Sequence, residues 1–292
     1  MDYQAVQVNV QAIADAEQAH GKRIRFYAID MLRGFALLNM IIFHALWDIA
    51  SLITKPWGVS IATFMSSQAA YVWQQAIGIC FIFLAGFCWR LGRKPLRRGI
   101  ELIAWGEVIS LVTTAVIPHD SVHFGVLTLI GFGTLILWLI DIPAKFARMH
   151  TGEKAMPVSF SSHGSHWIHV ILATISMILF VLFHDAQTHS IWSLTLPQWL
   201  YANNFTTLLG FPFDGFISSD YYPLIPWLFV MFTGYFLFNV VHARAVANWI
   251  NTHTHKVSWI SRSLEFLGRH SLVIYLTHQV ILFAIIWLIS LI

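Results

Sequence analysis

The sequence predicts an all-α, polytopic membrane protein of about seven transmembrane helices, and three observations predict it. Hydrophobic residues make up 57% of the 292, with a mean hydropathy of +0.66. Charged residues make up 11%, against about 25% in soluble domains, too few to cover a water-facing surface of this size. The basic residues gather in alternate loops between apolar runs, as membrane topology requires.

A spanning helix needs about 20 mostly apolar residues. Seven segments qualify: 30–53, 70–91, 98–117, 122–142, 167–185, 224–241 and 271–291. Residues 1–25 are polar, mix both charge signs, and lack the apolar core of a cleavable signal peptide. They are read as a cytoplasmic tail with an interfacial helix around Val6–Ala19, ahead of a single membrane domain over 26–292. Lys22, Arg23 and Arg25 precede the first span. Arg90, Arg93, Lys94, Arg97 and Arg98 lie between the second and third. Lys145, Arg148 and Lys154 lie between the fourth and fifth, and Arg244, Lys256, Arg262 and Arg269 between the last two. All these loops fall on one side, and the other side holds only Lys55. The positive-inside rule puts the N-terminus in the cytoplasm and the C-terminus outside, in a multi-pass protein of the plasma membrane. The net charge of +3 arises from these topology signals, which removes nucleic acid as a partner.

The long connection 186–223 carries no Lys or Arg and is expected to cap the outer face or re-enter the membrane; the inner loop 143–166 is rich in Ser, Gly and His. No internal repeat is visible, which weighs against an inverted-repeat transporter. Cys80 and Cys88 share one apolar segment, about 12 Å apart on a helix, too far for a disulfide.

A charge at the bilayer centre costs about 2.5–3.5 kcal/mol on insertion scales, so each embedded ionisable group is a candidate. The first span carries Asp30, Arg33, His44 and Asp48. At 100° per residue, His44 lies about 20° from Arg33, and the other two fall on the same face. The stripe therefore faces the protein interior. Asp30 and Arg33 stand at i,i+3, and His44 and Asp48 at i,i+4, as candidate pairs. A carboxylate that fixes an imidazole tautomer frees the other nitrogen as a base; two satisfied structural pairs would give the same spacing. Glu101 and Glu107 are embedded in the third span, and His278 with Gln279 in the last. Glu101 lies next to the basic loop and is expected to snorkel or pair. The runs His163, His166, His169 and His253, His255 lack further ligands, and no metal is expected. The cluster Arg90, Arg93, Arg97 and Arg98 is a topology signal that is also suited to phosphates.

Five ordered blocks carry a resemblance. They are Ile29-Asp30-Met31-Leu32-Arg33-Gly34 followed by His44; Phe81-Ile82-Phe83-Leu84-Ala85-Gly86; His123-Phe124-Gly125-Val126-Leu127; Asp220-Tyr221-Tyr222-Pro223-Leu224-Ile225-Pro226-Trp227; and Leu267-Gly268-Arg269-His270-Ser271-Leu272 with Ile274-Tyr275-Leu276-Thr277-His278-Gln279. Over about residues 25–291 the chain resembles the bacterial branch of the heparan-alpha-glucosaminide N-acetyltransferase catalytic-domain family, within the transmembrane acyltransferase superfamily. The resemblance implies an enzyme that takes an acyl group, usually acetyl, from cytoplasmic acyl-CoA as co-substrate, with no permanently bound cofactor. It delivers that group to a hydroxyl or amine of a glycan or other envelope acceptor across the membrane.

The superfamily's Arg-x10-His pair falls on Arg33 and His44, which implies a catalytic His44 and an essential Arg33. Asp48 would then orient His44. Arg33, Arg90, Arg93, Arg97 and Arg98 would hold the acyl-CoA, and Asp220, Tyr222, His278 and Gln279 would bind the acceptor. Two departures stand out. Thr128 occupies a place where family members usually carry His, and lysosomal relatives are longer and differ near the His44 place, so their substrate does not transfer. A proton-coupled transporter and a non-catalytic scaffold are the competing readings, and a homodimer stays open.

Overall fold

A computed structural model describes residues 27–151, 163–240 and 259–291. The expected tail helix at Val6–Ala19 and the His253/His255 pair lie outside these residues, as does much of the loop 143–166. Along the chain run α1 (Tyr27–Leu52), α2 (Pro56–Met65), α3 (Gln68–Phe87), α4 (Pro95–Val116), α5 (Val126–Thr151) and α6 (His163–Leu182). There follow β1 (Ser190–Ile191), β2 (Leu194–Thr195), α7 (Asn204–Leu209), α8 (Leu224–Val240), α9 (Trp259–Arg269) and α10 (Ser271–Ser290). Among the described residues the protein is all-α apart from the two-residue hairpin strands, in which Ser190 pairs with Thr195.

Six helices among the described residues are long and apolar enough to cross a membrane: α1, α3, α4, α5, α6 and α10. The protein is therefore a multi-pass membrane protein. The remaining predicted span, over 224–241, is the shorter α8, with 17 described residues. Its position explains its uniformly apolar composition. Val230 and Met231 are 1% and 0% exposed, so α8 is the central helix rather than a lipid-facing one. The core gathers around it: Ile82 of α3, Leu129 and Leu137 of α5, and Trp227 and Tyr235 of α8 itself. α3 and α6 pack along α8, and α4 packs along α5. α3 and α8 meet backbone to backbone, because a Cβ on Gly86 would run into the Met231 carbonyl and one on Gly234 into that of Phe83. Small residues permit this close approach where there is no hydrophobic force between helices in lipid.

Thr128 lies at the analogous crossing of α4 and α5. It is 2% exposed and its hydroxyl fills the space a Cβ on Gly106 would need. The position of Thr128, for which the resemblance implies His, is thus a tight helix contact in this chain.

α1 belongs to a second packing group, with α9 along one side and α10 along another. Asp30 faces Arg269 of α9, 4.0 Å away, and Arg269 also pairs with Glu265. The expected Asp30–Arg33 pair is replaced by this inter-helix one.

The connection 186–223 caps one end of the bundle. The capping contacts run to the segment before α5: the Ser219 N–H donates to the Ser121 carbonyl at 3.1 Å and the Tyr222 N–H to that of Phe124 at 3.0 Å. The Tyr201 hydroxyl ties the cap internally by donating to the Ala186 carbonyl at 2.6 Å.

Candidate active site

The basic end of the bundle divides the predicted phosphate-binding arginines into two groups. Arg90 is committed to structure: its guanidinium donates to the Tyr235 hydroxyl at 2.8 Å, lies 3.6 Å from Asp141, and covers the Tyr235 ring at 5.0 Å. Arg97 pairs with Glu101 one turn on, at 2.6 Å on an exposed face, as expected for Glu101. Arg93 is exposed. Arg98 differs. It is half-buried within electrostatic reach of Arg33 of α1, and Cys88 is within reach of both. Neither Arg33 nor Arg98 makes a hydrogen bond or ion pair among the described residues. Two like charges held together, with the nearby Asp30 facing Arg269 instead of either of them, form an anion-binding geometry.

Eleven residues further along α1, about 16 Å away, His44 lies beside His278 of α10, with ring centroids 5.2 Å apart. Asp48 does not bond to His44, although their spacing allows it. Its Oδ1 instead accepts from the Gln279 amide at 3.0 Å, across α1 and α10. His278 Nδ1 donates to the Tyr275 carbonyl at 2.6 Å, which in the neutral ring leaves Nε2 as an acceptor.

Three buried atoms then stand without a partner among the described residues: Asp48 Oδ2, Gln279 Oε1 and His278 Nε2. Asp48 and His278 are 4% and 8% exposed. All three atoms are acceptors. An unmet buried acceptor costs about 1–3 kcal/mol, so this cluster is built for a group that donates.

From His278 the polar path continues toward the cap. The Tyr275 ring lies 5.6 Å from that of His278, and its hydroxyl donates to Asp220 Oδ2 at 3.4 Å. The Val126 N–H, opening α5, donates to the same oxygen at 3.5 Å. Tyr222 packs against α3, where its hydroxyl occupies the space beside Gly78, and its ring meets Trp227 edge-on at 4.8 Å. Burial pushes the Asp220 carboxyl up to about 6, against the opposing pull of the Val126 N–H and the Tyr275 hydroxyl. Burial, reinforced by Asp220, raises the Tyr222 phenol as well.

A carboxyl raised in the folded state stabilises the fold fully below its unfolded value of 3.8, and this contribution is lost as pH rises through about 6. Asp220→Asn should therefore remove a stability loss on the order of 3 kcal/mol between these limits. Unfolding of both proteins in detergent from pH 4 to 7 measures this, and parallel curves would rule it out.

The structure thus brings together Arg33 with Arg98, and His44 with His278, Asp48 and Gln279. It leaves Asp220 and Tyr222 as neighbours of that cluster through Tyr275. Tyr275 was not singled out by polarity, yet it stands at i−3 from His278 on one helix face, and that spacing is the signal that identifies it. In the run His163, His166, His169 the first two side chains lie outside the described ones.

The family model described as "Heparan-alpha-glucosaminide N-acetyltransferase, catalytic" covers residues 25–153 and 155–280. No curated protein and no solved structure matched the chain.

Proposed function

We propose, from the premise that the chain belongs to the heparan-alpha-glucosaminide N-acetyltransferase catalytic family, that it transfers an acetyl group from acetyl-CoA to a hydroxyl or amine on the far side of the membrane. One observation carries this reading. A single helix, α1, holds one arginine of an unpartnered pair near one end and a histidine beside a cluster of unmet acceptors further along. The first arrangement suits the phosphates of the donor, and the second suits the proton-bearing group of the acceptor.

The basic end is cytoplasmic in this reading, as the loop charges require. Arg33 and Arg98 hold the donor's phosphates, with exposed Arg93 at the entrance. Arg90 and Arg97 are occupied elsewhere and are left out of this role. The acceptor arrives from the capped end and donates to Asp48 Oδ2, Gln279 Oε1 or His278 Nε2. His44 takes the proton of the acceptor's O–H or N–H as that atom attacks the thioester carbonyl. A new C–O or C–N bond forms, the C–S bond breaks, and the proton passes from His44 to the departing thiolate. Asp48, through Gln279, orients the acceptor and the α10 wall rather than the His44 ring.

Acetyl-CoA binding by the purified protein in nanodiscs tests the reading. The wild type should bind, and Arg33→Ala or Arg98→Ala should weaken affinity by about 10–100-fold, the value of a lost charge-assisted hydrogen bond. Absence of acetyl-CoA binding by the wild type would overturn the assignment.

A further inference from the structure

Glu107 is an embedded charge that the proposed reaction does not use. It stands in α4 nine residues before Val116, about 13 Å below that end of the helix, and so at membrane depth. Among the described residues it makes no hydrogen bond or ion pair. An ionisable group left alone at that depth calls for a ligand or a functional role.

Glu107 lines a cavity of about 460 Å³ together with Ser110 of α4, His123 and Phe124 from the segment before α5, and Phe213 and Phe216 from the cap. His123 is a wall rather than a free group: Ser110 Oγ lies 2.8 Å from its Nδ1 and Thr114 Oγ1 3.4 Å from its Nε2. The Phe124 and Phe216 rings stand 6.1 Å apart, and those of Phe213 and Phe216 5.6 Å apart. One free carboxylate and three phenyl rings around one space make a cation site, since the ring faces and the carboxylate both attract positive charge.

The surroundings of Glu107 select how the cation arrives. Leu111, one turn above it on the same face, is 72% exposed, and neighbouring Val108 and Trp105 are 44% and 46% exposed. This surface of α4 meets lipid and Glu107 is exposed on it, so the Glu107 side of the cavity faces the bilayer, while exposed Asn204, Gly215 and Ile217 line its cap side.

We propose that this cavity binds the primary ammonium headgroup of a membrane amphiphile, which enters laterally from the leaflet at the capped end, with Glu107 as its counter-charge. The site is separate from acyl transfer and stands whether or not that reaction occurs.

The test uses the full chain in phosphatidylcholine nanodiscs doped with equal amounts of phosphatidylethanolamine and phosphatidylglycerol. Retained lipid is then read by native mass spectrometry. The wild type should retain phosphatidylethanolamine about tenfold over phosphatidylglycerol, and Glu107→Gln should bring the ratio to parity. Ile217→Trp, at a cavity position that is 72% exposed, keeps the carboxylate but fills the space, and should also abolish the preference. It decides the matter if Glu107→Gln fails to fold. No preference in the wild type, or an undiminished one in a folded variant, overturns the proposal. Displacement of the lipid by soluble ethanolamine at equal concentration overturns its membrane-borne part.

Discussion

Replacing His44 with alanine is expected to lower acetyl transfer by about 10²–10⁴-fold, the usual worth of a positioned general base, while acetyl-CoA affinity stays near that of the wild type. The separation follows from the geometry. Arg33, which with Arg98 holds the donor in the proposed reading, stands about 16 Å along α1 from the histidine. Steady-state release of free CoA thiol, measured beside equilibrium binding on the same preparations, gives both quantities. His278→Ala provides the comparison, because its ring lies 5.2 Å from that of His44 and offers the alternative base. If the two histidines act as one unit, the double variant should lose no more than the worse single one. Turnover close to wild type in a folded His44→Ala protein would remove His44 from the chemistry.

The largest expected loss of stability comes from the crossing of α1 and α9. A Cβ on Gly34 would run into the Leu264 carbonyl, and one on Gly268 into that of Asp30. Each glycine therefore lets the partner backbone through, and neither obstacle is a side chain that can swing away. Gly34→Val or Gly268→Val should cost about 3 kcal/mol, the upper part of the range for overpacking. The variants should also separate Asp30 from Arg269. Thermal unfolding in detergent measures this, with Val273→Ala as a control at a 61% exposed position. Midpoints equal to the control would show that the helices part without cost.

How much of this was readable in advance differs from residue to residue. The inward stripe of Asp30, Arg33, His44 and Asp48 was legible, because helical periodicity assigns faces. Its partners were not. Spacing within α1 offered Arg33 to Asp30 and His44 to Asp48, and the fold supplied Arg269 and Gln279 instead, the second from 231 positions away. One helix's period says which residues look inward but not what stands opposite. The basic loop shows the same limit. Its five charges predicted topology equally well, while the fold tied Arg90 to Asp141 and Tyr235 and left Arg98 free beside Arg33.

α8 was legible as an apolar segment but not as the central helix. Lipid and protein interior are both apolar, so hydropathy has no means to tell a helix that faces one from a helix surrounded by the other. The acceptor cluster was half legible. His278 and Gln279 were visible as polar residues in a span, but that three free atoms there would all be acceptors depends on which hydrogen bonds the others had already taken.

A last consequence lies in α1 being one unbroken helix of 26 residues. Because Arg33 and His44 share it, the interval between them is set by backbone pitch and does not change with any rearrangement of the surrounding helices. α1 is in effect a measuring rod. In the proposed reaction, whatever carries the acyl group over that interval has to be flexible, and the protein offers only fixed marks at either end. The reach then belongs to the donor's own arm, and the enzyme gauges it without having to move.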